Sequence, residues 1–270
     1  MGHIDHFSSG ALTPVLAYVM SCVGASLGLL CTSRARALTG WARVAWFTLA
    51  AISIGGTGIW VMHFVAMLGF SVEGTPIRYD VPQTVLSLLV SITVVAAGLI
   101  TAATGNGGYR RLAVGGLLTG CGVAVMHYMG MYAMNMHGHL SYAPATVAAS
   151  VVIAVVAATA ALWFALNVRG PLATTGAALV MGIAVCGMHY TGMASLSATV
   201  QMSTAPVAGA QASNFIAPLI TGISLFTVIT LFVVALSPTE DELREDADFD
   251  ERLDRLSRGR HGRHAGTSGR

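Results

Sequence analysis

The sequence predicts an all-α fold, a polytopic membrane bundle of seven transmembrane helices. Three observations carry this: composition, the placement of charge, and seven long apolar stretches. Hydrophobic residues fill 54% of the 270 positions and charged residues 10%, with a mean hydropathy of +0.70. A soluble domain carries roughly 25% charged residues. From Leu12 to Leu236 the ionisable residues other than His are Arg34, Arg36, Arg43, Glu73, Arg78, Asp80, Arg110, Arg111 and Arg169, and all read as lying between the apolar stretches. The net charge of +2 is too small and too segregated for a nucleic-acid surface. Cys22, Cys31, Cys121 and Cys186 show no CxxC spacing and lie in or beside apolar segments. They read as packing residues, which argues against a disulfide framework or a zinc knuckle.

A span needs about 20 apolar residues to cross roughly 30 Å of hydrocarbon. Seven stretches qualify: 12–31, 44–70, 83–103, 112–134, 145–166, 173–196 and 215–236. The breaks carry turn chemistry, such as Gly105-Asn106-Gly107-Gly108 and Gly170-Pro171. Residues 12–236 therefore form one transmembrane domain. Arg34, Arg36, Arg43, Arg110, Arg111 and Arg169 fall in the loops on one side and Arg78 alone on the other. By the positive-inside rule this is a multi-pass plasma-membrane protein with its N-terminus outside and its C-terminus in the cytoplasm. Residues 237–270, acidic and then basic, read as a charged cytoplasmic tail, mostly disordered, and a candidate docking segment for a cytoplasmic signalling partner.

The apolar stretches contain an internal repeat. Met62-His63-Phe64-Val65-Ala66-Met67 recurs as Met126-His127-Tyr128-Met129-Gly130-Met131 and again as Met188-His189-Tyr190-Thr191-Gly192-Met193. The histidines are 64 (127 − 63) and 62 (189 − 127) residues apart, the length of two spans with their loops. The chain is thus three repeated helix pairs plus a closing helix. Gly56 and Gly58 precede the first motif, Gly120 and Gly122 the second, and Gly182 the third. Each motif lies toward the C-terminal end of an even-numbered span, so the three histidines share one depth, near the outer face. Polar side chains at membrane depth are costly and mark function by default.

This donor set discriminates among metals. Thioether sulfur is soft and selects Cu(I), whereas imidazole suits copper, zinc, iron and nickel. No carboxylate cluster lies at this depth, which argues against calcium, magnesium or a di-iron centre. The expected ligands are His63, His127 and His189. Met67, Met131 and Met193 lie one turn beyond them on the same helical face and are further candidates. A four-coordinate ion cannot use all six. Met62, Met126 and Met188, about 100° around the helix, and Tyr128 and Tyr190 are expected to surround the ligands. Phe64 in the first copy shows that a hydroxyl is not required three times. Met134, Met136, His137 and His139 follow the second motif and read either as solvated loop residues or as a copper entry route. No residue is assigned a catalytic role.

The three Met-His-[Tyr/Phe] motifs on paired helices closely resemble the MHYT family of bacterial membrane sensor domains, and Met188-His189-Tyr190-Thr191 spells the family's motif. The second copy has Met129 in place of Thr, and the first has Phe64 and Val65. The resemblance implies a copper site near the outer membrane face and sensing of a diatomic gas (oxygen, carbon monoxide or nitric oxide). It further implies signal transduction to a cytoplasmic partner. A copper transporter and a membrane oxidoreductase using copper or haem are the alternatives. Against transport, the spans carry no Asp or Glu relay. Against haem, a His and a Met four residues apart lie on one side of one helix.

Overall fold

A computed structural model describes residues 3–104, 108–201 and 205–238, together with Glu242, Glu245 and Phe249. Apolar stretches bounded by capping and turn residues become seven long helices among these residues. They are α1 (Leu12–Ala37), α2 (Gly40–Met67), α3 (Val81–Ala103), α4 (Tyr109–Tyr132), α5 (Pro144–Asn167), α6 (Pro171–Met193) and α7 (Ala212–Leu236), each long and apolar enough to cross a membrane. Large apolar side chains such as Leu89, Leu117, Val156, Ile183 and Phe232 project from the outside of the bundle. Water would not tolerate such a surface and lipid does. The chain is a multi-pass membrane protein. The tail read as disordered lies almost wholly outside the described residues.

The helix starts follow from local chemistry. Asp80 caps α3, its carboxylate accepting from the Gln83 amide at 2.9 Å, with Pro82 in the first turn. Pro144 and Pro171 open α5 and α6, where a missing N–H costs nothing. Helices α1 to α6 pack in a closed ring in chain order, and α7 lies outside it against α1 and α2. As a result α2 is the most buried span and α7 the least. Small residues set the close approaches. A Cβ on Gly24 would lie 2.3 Å from the Gly58 nitrogen, and one on Gly120 would lie 2.4 Å from Val155 Cα. The middle of α2, Ile52–Val61, is wound as a π-helix. It is tied sideways by Ser91 Oγ donating to the Gly55 carbonyl at 2.7 Å, by Trp60 Nε1 donating to Ser87 Oγ at 2.9 Å, and by a 2.6 Å Thr57–Thr227 hydroxyl pair reaching α7.

Two expectations need correction. The segment 32–43, read as a loop, is mostly helix: α1 runs to Ala37, and only Leu38 and Thr39 separate it from α2. Arg34 and Arg36 therefore sit in the last turns of α1, and Arg34 is buried. The reason lies in the neighbouring helix ends, whose last carbonyls lack partners within the helix. Arg34 donates to the carbonyls of Val234 (2.7 Å) and Ser237 (3.3 Å) at the end of α7. Arg36 donates to Leu166 at the end of α5, and Arg43 to Ala103 at the end of α3 at 3.2 Å. A guanidinium at a helix C-terminus also opposes the negative end of the helix dipole. Arg34→Ala should lower stability by about 2 kcal/mol, because charged hydrogen bonds to carbonyls are lost in a buried site. A thermal melt in detergent unchanged from the parent protein would contradict this assignment.

The connections at the opposite end, read as loops, zip together. β1 (Ile4–Asp5) pairs with β2 (Ser71–Val72), β3 (Arg78–Tyr79) with β4 (Met134–Asn135), and β5 (Gly138–Tyr142) with β6 (Leu196–Val200), all antiparallel. A further bridge joins Tyr79 to Ala210. The segments that follow the three motifs are thereby stitched into one cap. Below, this is called the strand end and the other the arginine end.

Candidate metal centre

The closed ring brings the strand ends of α2, α4 and α6 together, and with them one histidine from each. His63, His127 and His189 are all buried, at 1%, 0% and 1% exposure. Their ring centroids form a near-equilateral triangle of 4.9, 5.0 and 5.2 Å. The rings stand nearly perpendicular to one another, at 79°, 79° and 89°, so each presents an edge to the centre. The edge presented is Nδ1. His63 Nδ1 lies 3.0 Å from His189 Nδ1 and 3.2 Å from His127 Nδ1.

Protons alone serve this arrangement poorly. A neutral imidazole offers one N–H and one lone pair. His63 Nδ1 faces two partners at once and at best shares a single lone pair between two donors. On the outward edge, Nε2 of His63 and of His127 are buried without a hydrogen-bond partner. If every Nδ1 instead turns a lone pair inward, one cation satisfies all three. Imidazole–metal distances of about 2.0–2.1 Å in tetrahedral or trigonal geometry put ligand nitrogens roughly 3.3–3.6 Å apart. The observed spacings are slightly tighter than that, so a small outward movement of the rings accommodates an ion. The residues present fit a metal of the copper or zinc type.

The residue after each histidine packs edge-to-face on that histidine's own ring, at 4.7 Å for Phe64 and 4.9 Å for both Tyr128 and Tyr190. Tyr128 also exchanges a 2.7 Å hydrogen bond with Ser150 on α5. The Tyr190 hydroxyl is buried without a partner. Aromatic shape is thus used three times and the hydroxyl at most twice. All six methionines are buried: Met67, Met131 and Met193 one turn toward the strand end, and Met62, Met126 and Met188 beside the histidines. Met188 faces away from the strand end, into an apolar cavity of about 50 Å³. Ile59, Val123 and Val185, each four residues before a histidine, line the same cavity. It therefore lies directly beneath the triad.

Two sets of residues escaped the sequence reading. Gly130 and Gly192, each three residues after a histidine, receive the neighbouring copy's ring. A Cβ on Gly130 would lie 2.4 Å from His63 Nε2, and one on Gly192 would lie 2.4 Å from His127 Nε2. The signal was present, since two of three copies carry Gly there and the first carries Ala66. The other is the N-terminal strap. Phe7 packs on Tyr190 at 5.7 Å, His6 on Phe70 at 5.6 Å, and both the amide and the hydroxyl of Ser8 donate to the Gly69 carbonyl at 2.9 Å. Burial pulls His6 below the ordinary imidazole range despite the adjacent Asp5, and its Nδ1 has no hydrogen-bond partner. A histidine before the first span, outside the repeat, gives no periodic signal to find it by.

A family profile described as the bacterial signalling protein N-terminal repeat, MHYT, matches residues 56–115 and 120–178. Each match begins seven residues before a triad histidine (63 − 56 and 127 − 120), in the same frame as the repeat. Residues 56–115 and 120–178 are two MHYT repeats. The chain's MHYT region is similar to the bifunctional diguanylate cyclase/cyclic di-GMP phosphodiesterase MucR of Pseudomonas aeruginosa, 45% identical over 157 residues, which cover 56% of this chain and 23% of that protein. It is similar to the cyclic di-GMP phosphodiesterase NbdA of the same organism, 33% identical over 195 residues (70% of this chain, 24% of NbdA). It is also similar to the signalling protein YkoW of Bacillus subtilis, 31% identical over 205 residues (71% and 24%). This MHYT chain thus aligns with about a quarter of the length of these relatives. No solved structure matches it.

Proposed function

We propose that this MHYT chain is a membrane sensor unit that binds one copper ion between His63, His127 and His189 and reports a change at that ion through its helices. The observation that carries the reading is the convergence of three buried histidines, with His63 Nδ1 at 3.0 and 3.2 Å from the other two Nδ1 atoms. Copper is favoured over zinc because each motif sets two buried thioethers, and no carboxylate, beside its imidazole in the chain, and thioether prefers Cu(I). Bound copper would supply a one-electron redox change and a position for a diatomic gas such as oxygen, carbon monoxide or nitric oxide. The protein's own contribution is to fix three neutral nitrogens in a dry layer and to hold their rings by edge contacts. The apolar cavity beneath supports access by a small uncharged molecule, since Thr119 is its one polar lining residue among those described.

A signalling role is what the MHYT match and the similarity to MucR, NbdA and YkoW support. The route is α7, which touches α2 through Thr227 and α1 through Arg34. The arginine distribution favours an external strand end and a cytoplasmic arginine end. A transporter is disfavoured because the space beneath the triad is apolar, and haem because three rings about 5 Å apart leave no room for its plane. Metal analysis with optical and electron paramagnetic resonance spectra, before and after Cu(I) loading and oxidation, tests the reading. Stoichiometric copper with a nitrogen-ligated Cu(II) signal is expected. A chain that takes up zinc but no copper would refute it.

A further inference from the structure

Outside the triad, one cluster of soft donors remains without a role. Met131, the last residue of the second motif, lines a cleft of about 410 Å³ at the strand end together with Met134, Met136 and His139. The chain builds it in sequence. Helix α4 ends at Tyr132, and Ala133 turns the backbone, its amide returning to the Met129 carbonyl at 2.9 Å. Met134 then enters β4, and β5 carries His139 back along the same rim. Strand pairing fixes the walls, since Met134 is opposite Tyr79, and His139 is opposite Thr199. His137, which neighbours these residues in the sequence, does not line the cleft; its amide donates to Thr75 Oγ1 at 2.8 Å.

Three thioethers and one imidazole facing one polar cleft are a ligand set for a soft monovalent cation. Packing does not explain it. Met131 and Met134 are buried where they reach the cleft wall, but Met136 is only partly buried and His139 is exposed. Asp80 lines the same cleft and adds a carboxylate that draws cations in. Its bond to the Gln83 amide holds it in the wall. Met131 is shared, because it follows His127 by one helical turn and also opens on the cleft.

We propose that the cleft is a second metal site, a loading site that captures Cu(I) through Met134, Met136 and His139 and passes it by way of Met131 to the triad. The capture half stands on the cleft alone, and the transfer half rests on the triad reading above. Transfer is a ligand exchange without redox: thioether–copper bonds break as imidazole–copper bonds form, and the ion stays Cu(I). The cleft site, exposed and rich in thioether, binds more weakly and exchanges faster than the buried triad.

The full chain in nanodiscs, titrated with Ag(I) as a redox-silent probe and with Cu(I), tests both halves. Two classes of site are expected, with methionine methyl resonances of the cleft shifting on addition of Ag(I). The Met134→Leu/Met136→Leu/His139→Gln variant should lose the weaker class, keep the tight one at equilibrium, and load it at least about tenfold more slowly. The His63→Ala/His127→Ala variant should lose the tight class and keep the weaker. If that variant binds no Ag(I) and no cleft methyl shifts in the parent protein, the cleft site is wrong while the triad stands. If the triad fails to bind metal but the cleft methyls shift, capture stands and transfer is refuted. Unchanged loading kinetics in the cleft variant, with its fold confirmed by an unaltered melt, would likewise refute transfer.

Discussion

Removing any one triad imidazole is expected to cost the MHYT unit its copper. His63→Ala, His127→Ala and His189→Ala each take away a donor that both oxidation states use. Each leaves a hole in a layer where the other two Nδ1 atoms are already turned inward. Affinity should fall at least about 100-fold, beyond the range seen when only supporting residues are changed. Met67→Leu, Met131→Leu and Met193→Leu conserve volume and should cost less, weakening Cu(I) more than Cu(II), since thioether is the softer donor. Tyr128→Phe and Tyr190→Phe should leave occupancy nearly intact. Copper content and competition titrations on the purified variants decide this. Equal losses for Met→Leu and His→Ala would make the thioethers primary ligands. Stoichiometric copper in a folded triple-histidine variant would end the metal reading.

The repeat was legible in the sequence because it is carried by identity at a fixed period. His63, His127 and His189 could be assigned to parallel helices at one depth by counting, and the closed ring then brings them together. What counting could not supply was which nitrogen points inward. That depends on how each ring rests on the next copy: His63 on Gly130 and His127 on Gly192. These are contacts between residues 67 (130 − 63) and 65 (192 − 127) positions apart, and nothing local in either segment announces them. The strand pairs were illegible for a similar reason. β1 to β4 are two residues each, too short for an alternation pattern, and they pair between different loops rather than within hairpins.

The arginines give one signal as a group and another one by one. Their count on one side gives an orientation, which remains a proposal. Their individual positions on α1 and α2 have a second cause, since Arg34, Arg36 and Arg43 close the ends of α7, α5 and α3. A side chain that caps a distant helix looks, in the sequence, like a charge in a loop. The helix end it serves is up to 200 residues away. The π-helical middle of α2 had only the glycines at 55, 56 and 58 to hint at it, and glycine is common in membrane helices for packing alone.

The second large effect is expected where no ligand is touched. Gly130→Ala places a methyl group 2.4 Å from His63 Nε2, 3.1 Å from its Cδ2 and 3.3 Å from Phe64 Cζ. Gly192→Ala does the same to His127, with contacts of 2.4, 3.0 and 3.3 Å to Nε2, Cδ2 and Cε1. Neither ring can retreat freely, because His63 Nδ1 faces the other two imidazoles across 3.0 and 3.2 Å, and His127 Nδ1 faces His63 across 3.2 Å. The ring must tilt, its Nδ1 lone pair leaves the common centre, and copper affinity should drop by about 10- to 100-fold. Gly187→Ala is the control, since it lies two residues from His189 and its Cβ meets nothing within 4 Å. Alanine is favoured over glycine inside a helix by about 1 kcal/mol, so a poorer helix cannot account for any loss. Ala66 already occupies the matching place in the first copy, and Ala66→Gly should change affinity little. Competition titrations of the four variants against one chelator read the effect directly. If Gly130→Ala and Gly192→Ala hold copper as tightly as Gly187→Ala, the rings are free to shift, and the glycines do not position the triad.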